Sequence, residues 1–100
     1  MAVVGALVLV GSSRAEAQEI DWATAEANCI VTYESHWDPS AYNPRSGAAG
    51  LGQFLYSTWM TTPYGQEGYS RYNAYANHAA VVWMIRQGRS REFVTHTLCE

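Results

Sequence analysis

Two cysteines near opposite ends of the chain constrain its fold more than any other feature. Cys29 and Cys99 are the only cysteines in the sequence, and a bond between them would close a loop of roughly 70 residues, worth about 4 kcal/mol on chain-entropy arguments. An even cysteine count in a short, exported chain is typical of a disulfide. The thiols are far apart and no CxxC or HExxH pattern accompanies them, so a metal site is not favoured.

The start of the chain has the pattern of a removable export signal. Residues 2–10 read AVVGALVLV, the length of a secretory apolar core, and Ala15-Glu16-Ala17 supplies a small-x-small cleavage pattern. No Lys or Arg precedes the apolar run. We expect residues 1–17 to be a signal peptide and 18–100 to be the domain. The alternative is an N-terminal core helix or anchor, although the run is too short to span a bilayer.

The charge and the aromatic content of the chain indicate which classes of ligand it could bind. The formal net charge is −3 without a cationic run, which disfavours nucleic acid. Four Trp and seven Tyr are many for so short a chain. Core packing accounts for some of them, and flat rings beside polar loops also suit stacking on sugars or peptides. His36, His78 and His96 share no ligand spacing, so we expect neither metal nor cofactor.

The spacing of apolar residues predicts a small, mainly helical domain. Asp21 can cap a helix whose apolar positions recur at three- and four-residue steps, and Asp38-Pro39 should follow its end near residues 35–37. A short β-hairpin within 42–52 is compatible with the same pattern. The other expected elements are turns over 38–50, a helix over 53–61, a tyrosine-rich loop over 62–72, a helix between Asn73 and Gly88, and a short tail over 91–99.

Glu34 is the candidate catalytic residue. The predicted helix end places it in the last turn, where unpaired carbonyls and the negative end of the helix dipole raise the pKa of a carboxyl group. Tyr33 and Trp37 would add desolvation, which acts in the same direction. A carboxyl group that stays protonated near neutral pH can donate its proton to a glycosidic oxygen. The alternative is a solvent-facing glutamate at a helix end.

Four sequence blocks occur in an order that resembles the lysozyme-like lytic transglycosylases of the soluble type, especially the small secreted members with a disulfide. The blocks read ES, WDPSAYNPRSGAAGLGQF, STW and YANHAAVVWM, and the resemblance covers roughly residues 28–88. It implies a mainly α (α+β, lysozyme-like) fold and peptidoglycan glycan strands as the partner. We expect a monomer without a membrane span in its mature chain, secreted and associated with the cell wall.

The resemblance also assigns site residues. It implies that Glu34 is the catalytic acid/base and that Gln53 lines the sugar cleft facing this acid. A glutamine offers both a donor and an acceptor to sugar hydroxyls and N-acetyl groups. Asn77 would either face the cleft or be buried and satisfied by backbone, and Ser35 would support the backbone beside the acid. The candidate substrate-binding residues are Ser35, Tyr42, Gln53 and Asn77, and the structural turn is Gly50, Leu51 and Gly52.

The chain departs from the family pattern chiefly in its tail. REFVTHTLC lacks the tryptophans that often precede the final cysteine in related small domains. The Ala-Tyr-Asn motif of larger members is missing, since residues 41–43 have those letters in a different place. Gly52 stands where many relatives carry a larger apolar residue. The tail and the missing motif concern one wall of the expected cleft, whereas Gly52 loosens the floor of the turn.

One carboxyl group is enough for the reaction that the resemblance implies. Glu34 would protonate the bond between N-acetylmuramic acid and N-acetylglucosamine, then remove the C6 hydroxyl proton as that oxygen closes on C1 to give a 1,6-anhydro end. A hydrolase would need a second carboxylate, for which Asp38 is the candidate, although it more naturally caps a turn. Two other functions stay open: a wall-binding or signalling module with little turnover, and a true hydrolase of peptidoglycan or chitin.

Overall fold

A computed structural model describes residues 20–100, and the predicted signal segment, residues 1–17, lies outside the described residues. The described chain is mainly helical, as the sequence predicts. Its elements are α1 (Trp22–Ser35), α2 (Tyr56–Trp59), α3 (Pro63–Gln66), α4 (Ala74–Arg86) and two 3₁₀ turns at Ser90–Glu92 and His96–Leu98. Among residues 20–100, no helix combines the length and the apolar character that crossing a bilayer requires.

Helix α1 begins and ends where the apolar spacing predicts. The Asp21 side chain accepts a hydrogen bond from the backbone N–H of Thr24 at 2.9 Å, which satisfies one free donor of the first turn. At the other end His36 adopts the left-handed conformation, with φ 55°, and donates its backbone N–H to the carbonyl of Thr32. The helix buries one side against α4. The apolar residues on that side are Ala23, Ala27, Ile30 and Val31.

Helix α4 supplies the opposite half of the core. Asn73 caps it, since its side-chain oxygen accepts from the backbone N–H of Ala76 at 2.9 Å. Gly88 follows the helix with φ 74°, a conformation that glycine adopts without a steric penalty. The predicted helix between Asn73 and Gly88 is confirmed. Its buried apolar residues are Ala76, Ala80, Val81, Met84 and Ile85.

The segment between the two long helices is more irregular than predicted. The helix expected over 53–61 is only the single turn α2, because Gln53 has a left-handed φ of 52° and Leu55 is extended. The loop expected over 62–72 contains α3, which Thr62 caps by accepting from the backbone N–H of Gly65. Hairpin-like pairing occurs as two isolated antiparallel bridges, from Tyr42 to Ala49 and from Ala49 to Phe54.

The C-terminal tail, defined here as residues 89–100, is attached to the rest of the domain by a disulfide and by a buried aromatic residue. The predicted disulfide is confirmed: Cys29 of α1 is bonded to Cys99, with their Cα atoms 5.7 Å apart. Phe93 is buried and packs edge-to-face on Phe54, with ring centroids 5.6 Å apart. A covalent bond and an aromatic contact thus hold a tail that contains only short 3₁₀ turns.

Candidate active site

The side chain of Glu34 lines a cleft with a volume of about 280 Å³. Three parts of the chain line this cleft: the last turn of α1 with Glu34, the segment 43–55, which includes Gln53, and the tail with Glu92, Phe93 and Val94. The helix presents the acid, the turn region forms one side, and the tail forms the other. The cleft is open enough for a ligand to reach Glu34 from solvent.

The surroundings of Glu34 favour its protonated form. The side chain is half-buried, and this burial raises the pKa of the carboxyl group because the charged form loses solvation. Hydrogen bonding by the side chain and backbone of Thr95 acts in the opposite direction and is the smaller influence. The Thr95 hydroxyl donates to Oε2 of Glu34 at 3.0 Å. A carboxyl group in this state can give up a proton and later accept one.

The aromatic neighbours expected to desolvate Glu34 are half-exposed, and one of them packs elsewhere. Trp37 has a positive φ of 61°, and its indole N–H donates to the hydroxyl of Thr32 at 2.9 Å. Its ring stacks on His78 of α4, with centroids 5.6 Å apart. Burial in the cleft, with the tail on one side, therefore accounts for the desolvation of the acid.

Gln53 is held in the cleft by its own turn. Its Nε2 donates to the carbonyl oxygens of Gly50 at 3.0 Å and Ala41 at 3.2 Å. These bonds use both protons of the amide nitrogen. Its side-chain carbonyl keeps its acceptor capacity, and the side chain lines the same cleft as Glu34.

Asn77 lies beneath this turn, with its side chain fully buried. Its Oδ1 accepts from the backbone N–H of Gly52 at 2.8 Å, and its Nδ2 donates to the carbonyl of Arg71 at 2.7 Å. Of the two arrangements open from the sequence, the structure gives Asn77 the buried one, satisfied by backbone. The turn above it leaves no room for larger residues, since a Cβ on Gly50 would meet the Arg71 oxygen at 2.1 Å.

The remaining sequence candidates have different surroundings. Ser35 is buried and donates its hydroxyl to the carbonyl of Val31 at 3.2 Å, so it bonds within its own helix. Leu51 is buried in the core below the turn. Tyr42 is half-exposed, and it is not among the residues that line the cleft. Only Glu34 and Gln53 of the predicted residues share the cleft.

Asp38, the candidate second carboxylate, caps a turn outside the cleft lining. It accepts from the backbone N–H of Ser40 at 3.0 Å and from its hydroxyl at 2.7 Å. These bonds stabilise the charged form and lower the pKa of Asp38. Among residues 20–100, no group of three His, Cys, Asp or Glu side chains could hold a metal ion.

Sequence reasoning associated the tail with one wall of the cleft but did not identify the tail residues that contribute to the site. Glu92 lines the cleft and bonds to Arg89, which lowers the pKa of the Glu92 carboxyl group. Thr95 contacts the acid itself. The sequence did contain a signal: Cys29 stands five residues before Glu34, so a bond from Cys29 to the tail must bring the tail close to the acid.

A half-buried carboxyl group in an open cleft, beside a turn with fixed polar groups, is an arrangement suited to general acid/base chemistry. The family model described as Transglycosylase SLT domain matches residues 12–91. The chain belongs to this family, and the resemblance seen in the four sequence blocks is confirmed. The match implies lytic transglycosylase-type chemistry with peptidoglycan as the substrate class. Comparison with curated proteins and with solved structures gives no significant match.

Proposed function

We propose that this protein is a lytic transglycosylase that cleaves peptidoglycan between N-acetylmuramic acid and N-acetylglucosamine, with Glu34 as its only acid/base. The observation that carries the proposal is the position of Glu34 in a cleft where burial raises its pKa. Family membership supplies the substrate class. Asp38 would take no part, because its side chain is bonded to Ser40.

The reaction would use the carboxyl group twice. Protonated Glu34 would donate its proton to the glycosidic oxygen as the bond breaks, and the acetamido group of the substrate would help to stabilise the developing cation. The resulting carboxylate would then accept the proton of the C6 hydroxyl as that oxygen attacks C1. The product would be a 1,6-anhydro end, and Glu34 would return to its protonated state without consuming water.

Substrate binding would draw on both sides of the cleft. The fixed amide of Gln53 would offer its carbonyl oxygen to a sugar hydroxyl or an acetamido N–H. Val94, which is exposed at the cleft, would supply apolar surface for the face of a sugar ring, with the buried Phe93 ring supporting it from below. Ser35 and Asn77 would support the acid and the turn from below, and the exposed ring of Tyr42 would contact the glycan strand beyond the lined cleft.

The disulfide fits a location outside the cytoplasm. Disulfides persist in oxidising compartments, and the bond between Cys29 and Cys99 is formed in the structure. Removal of residues 1–17 would then yield a secreted monomer that acts on the cell wall.

Product masses test this function. The purified, oxidised protein is incubated with peptidoglycan, and the soluble muropeptides are weighed. We expect products lighter than reducing-end muropeptides by one water, and a loss of roughly a thousandfold in their rate of release for Glu34→Gln. Binding to insoluble peptidoglycan without any soluble release would contradict an enzymatic role and would favour a wall-binding module.

Glu92 supports a second candidate function, that of a true hydrolase. It is a carboxylate in the same cleft as Glu34, and its bond to Arg89 keeps it charged. A hydrolase of this kind requires such a second carboxylate. Reducing-end products that disappear with Glu92→Gln, while Asp38→Asn leaves their release unchanged, would establish this candidate in place of the first. The same assay with chitooligosaccharides would reveal a chitin hydrolase.

A further inference from the structure

Thr95 contacts the acid of the candidate site from outside the segment that carries the family resemblance. Its hydroxyl lies 3.0 Å from Oε2 of Glu34, and the two residues are 61 positions apart in sequence. Among residues 20–100, this is the only side-chain hydrogen bond to the Glu34 carboxyl group that the structure contains. The tail, which departs from the family pattern, thus contacts the proposed acid directly.

We propose that Thr95 is a positioning residue for Glu34, whose hydroxyl fixes one carboxyl oxygen so that the other faces the glycan and carries the proton. This inference rests on the proposed function of Glu34 as the acid/base. Thr95 would act through Glu34, and it would touch neither the bond that breaks nor the sugar.

The geometry of the bond explains how the hydroxyl would do this. A glutamate has three rotatable side-chain bonds, and an acid that must meet a glycosidic oxygen gains from having one orientation. Donation to Oε2 restrains the carboxyl plane. Among residues 20–100, no side chain donates a hydrogen bond to Oε1, so we assign this oxygen to hold the proton. In the second half of the reaction, the same donor would stabilise the carboxylate until it accepts the C6 proton.

The tail holds Thr95 at a defined place. Four residues later, Cys99 is bonded to Cys29 on the helix that carries Glu34. Two residues earlier, Phe93 is buried in the core. The backbone carbonyl of Thr95 also accepts from the N–H of Leu98 at 3.0 Å, closing a 3₁₀ turn. The hydroxyl is thus fixed on both sides along the chain.

The neighbouring ionisable groups are the same whether or not Thr95 carries a hydroxyl. Glu92 is bonded to Arg89, and His96 contacts Glu100 at 3.2 Å. The ionisable groups on the segments around the acid are Tyr33 and His36 at the end of α1, Arg45 in the turn region, and Arg89, Arg91, Glu92, His96 and Glu100 in the tail. Replacing Thr95 by valine changes none of them, so a shift in the titration of Glu34 would report on the hydroxyl alone.

Three variants separate positioning from packing. Thr95→Val has nearly the same shape without the hydroxyl, Thr95→Ser restores the hydroxyl, and Thr97→Val is a control at an exposed position in the same tail. Peptidoglycan cleavage is measured over a range of pH for each oxidised protein. We expect Thr95→Val to lose roughly 10- to 100-fold in kcat. Its activity should extend to higher pH, because the remaining acid loses a donor that favours its charged form.

Thr95→Ser should recover most of the rate and the original pH profile, and Thr97→Val should match the unmodified protein. A Thr95→Val profile with unchanged rate and unchanged pH dependence would overturn the proposal. So would a loss of rate that Thr95→Ser fails to recover, because that outcome assigns the effect to packing.

A second measurement does not depend on activity. Carbon NMR of the labelled Glu34 carboxyl group gives its titration directly in the unmodified protein and in each variant. The proposal predicts a higher midpoint for Thr95→Val and a restored midpoint for Thr95→Ser. Equal midpoints in all proteins would reject it. An upward shift in a protein that cleaves no peptidoglycan would support the contact while rejecting the proposed function.

Discussion

The helix pair and the tail contribute to the candidate site in different ways. Helices α1 and α4, with the turn between them, bury apolar side chains in a periodic pattern and fix the backbone position of Glu34. The tail has no such pattern, only two 3₁₀ turns, one buried aromatic residue and one disulfide. Yet it supplies Glu92, Phe93 and Val94 to the cleft and Thr95 to the acid.

The comparison shows that different parts of the chain determine the position of Glu34 and the burial of its carboxyl group. Packing of regular helices decides where Glu34 stands. Its environment depends on a wall of irregular chain held by a covalent bond, because short 3₁₀ turns bury too little apolar surface to hold a wall alone. Substitutions in the tail should therefore lower activity more than they lower the stability of the helices. Substitutions in the turn over Asn77 should lower both activity and stability.

Removing the disulfide has the largest expected effect. Replacing both Cys29 and Cys99 by serine frees a loop of roughly 70 residues and should lower the free energy of unfolding by about 4 kcal/mol. We expect peptidoglycan cleavage to be lost even at temperatures where the helices remain folded. Circular dichroism and the cleavage assay check this together. Full activity in a folded, disulfide-free protein would show that the tail reaches the acid without its covalent attachment.

Gly50→Ala tests the turn that lies over Asn77. Gly50 has φ 80°, and an added Cβ would meet the Arg71 oxygen at 2.1 Å and Asn77 Nδ2 at 2.3 Å. We expect a loss of about 3 kcal/mol, from backbone strain together with overpacking, and a matching loss of activity. Denaturant unfolding measures the first effect.

Gly68→Ala is the matched control for the turn. Gly68 also has a positive φ, of 91°, but nothing lies within 4 Å of its Cβ position. It should lose only about 1 kcal/mol, from backbone strain alone, and should remain active. Equal losses in the two variants would contradict a role for the close contacts under Gly50.

Phe93→Leu in the tail and Ile30→Val in α1 compare the tail with the helix pair at a similar loss of stability. Both residues are buried, and each change should lower the free energy of unfolding by about 1 kcal/mol. Phe93 lines the cleft, whereas Ile30 lies in the contact of α1 with the core. We therefore expect a several-fold loss of activity for Phe93→Leu and little change for Ile30→Val. Cleavage rates at a temperature where both variants are folded decide the matter, and equal rates would contradict a separate role for the tail.

The smallest expected effect is a pH-dependent difference in stability between the unmodified protein and Glu34→Gln. Burial raises the pKa of Glu34 in the folded state above the ordinary value of 4.5, so the folded protein keeps this proton to a higher pH than the unfolded chain. As pH rises from about 4.5 through the folded-state pKa, the carboxylate form destabilises the fold. Glutamine cannot ionise, so Glu34→Gln should gain stability relative to the unmodified protein across that window. Urea unfolding at several pH values measures the gap, and a gap that does not grow with pH would contradict the burial of the acid.

Sequence reasoning predicted the helix pair because its signals are local. Asp21 and Asn73 cap their helices as expected, and the apolar spacing identified the buried sides. The disulfide followed from the cysteine count. Glu34 and Gln53 were placed by a resemblance to a family, and the structure brings both into one cleft.

The tail and the turn support could not be predicted in the same way. A 3₁₀ turn has no hydrophobic period to detect, so Thr95 looked like any other polar tail residue. The helix expected over 53–61 was too long because Gln53 takes a positive φ, which its residue type does not suggest. Asn77 had two open readings, since its position in α4 fitted both a buried and a cleft-facing side chain. Only the packing of the turn on α4 distinguishes them.

The most direct test of Glu34 as a lone acid/base is to follow the fate of water in the reaction. Peptidoglycan is digested by the unmodified protein in water enriched in heavy oxygen, and the new glycan ends are examined by mass spectrometry. We predict 1,6-anhydro ends without heavy oxygen, because the C6 hydroxyl of the substrate attacks C1. One heavy oxygen at each new reducing end would contradict the account and would identify a hydrolase that uses Glu92 or another carboxylate as its second group.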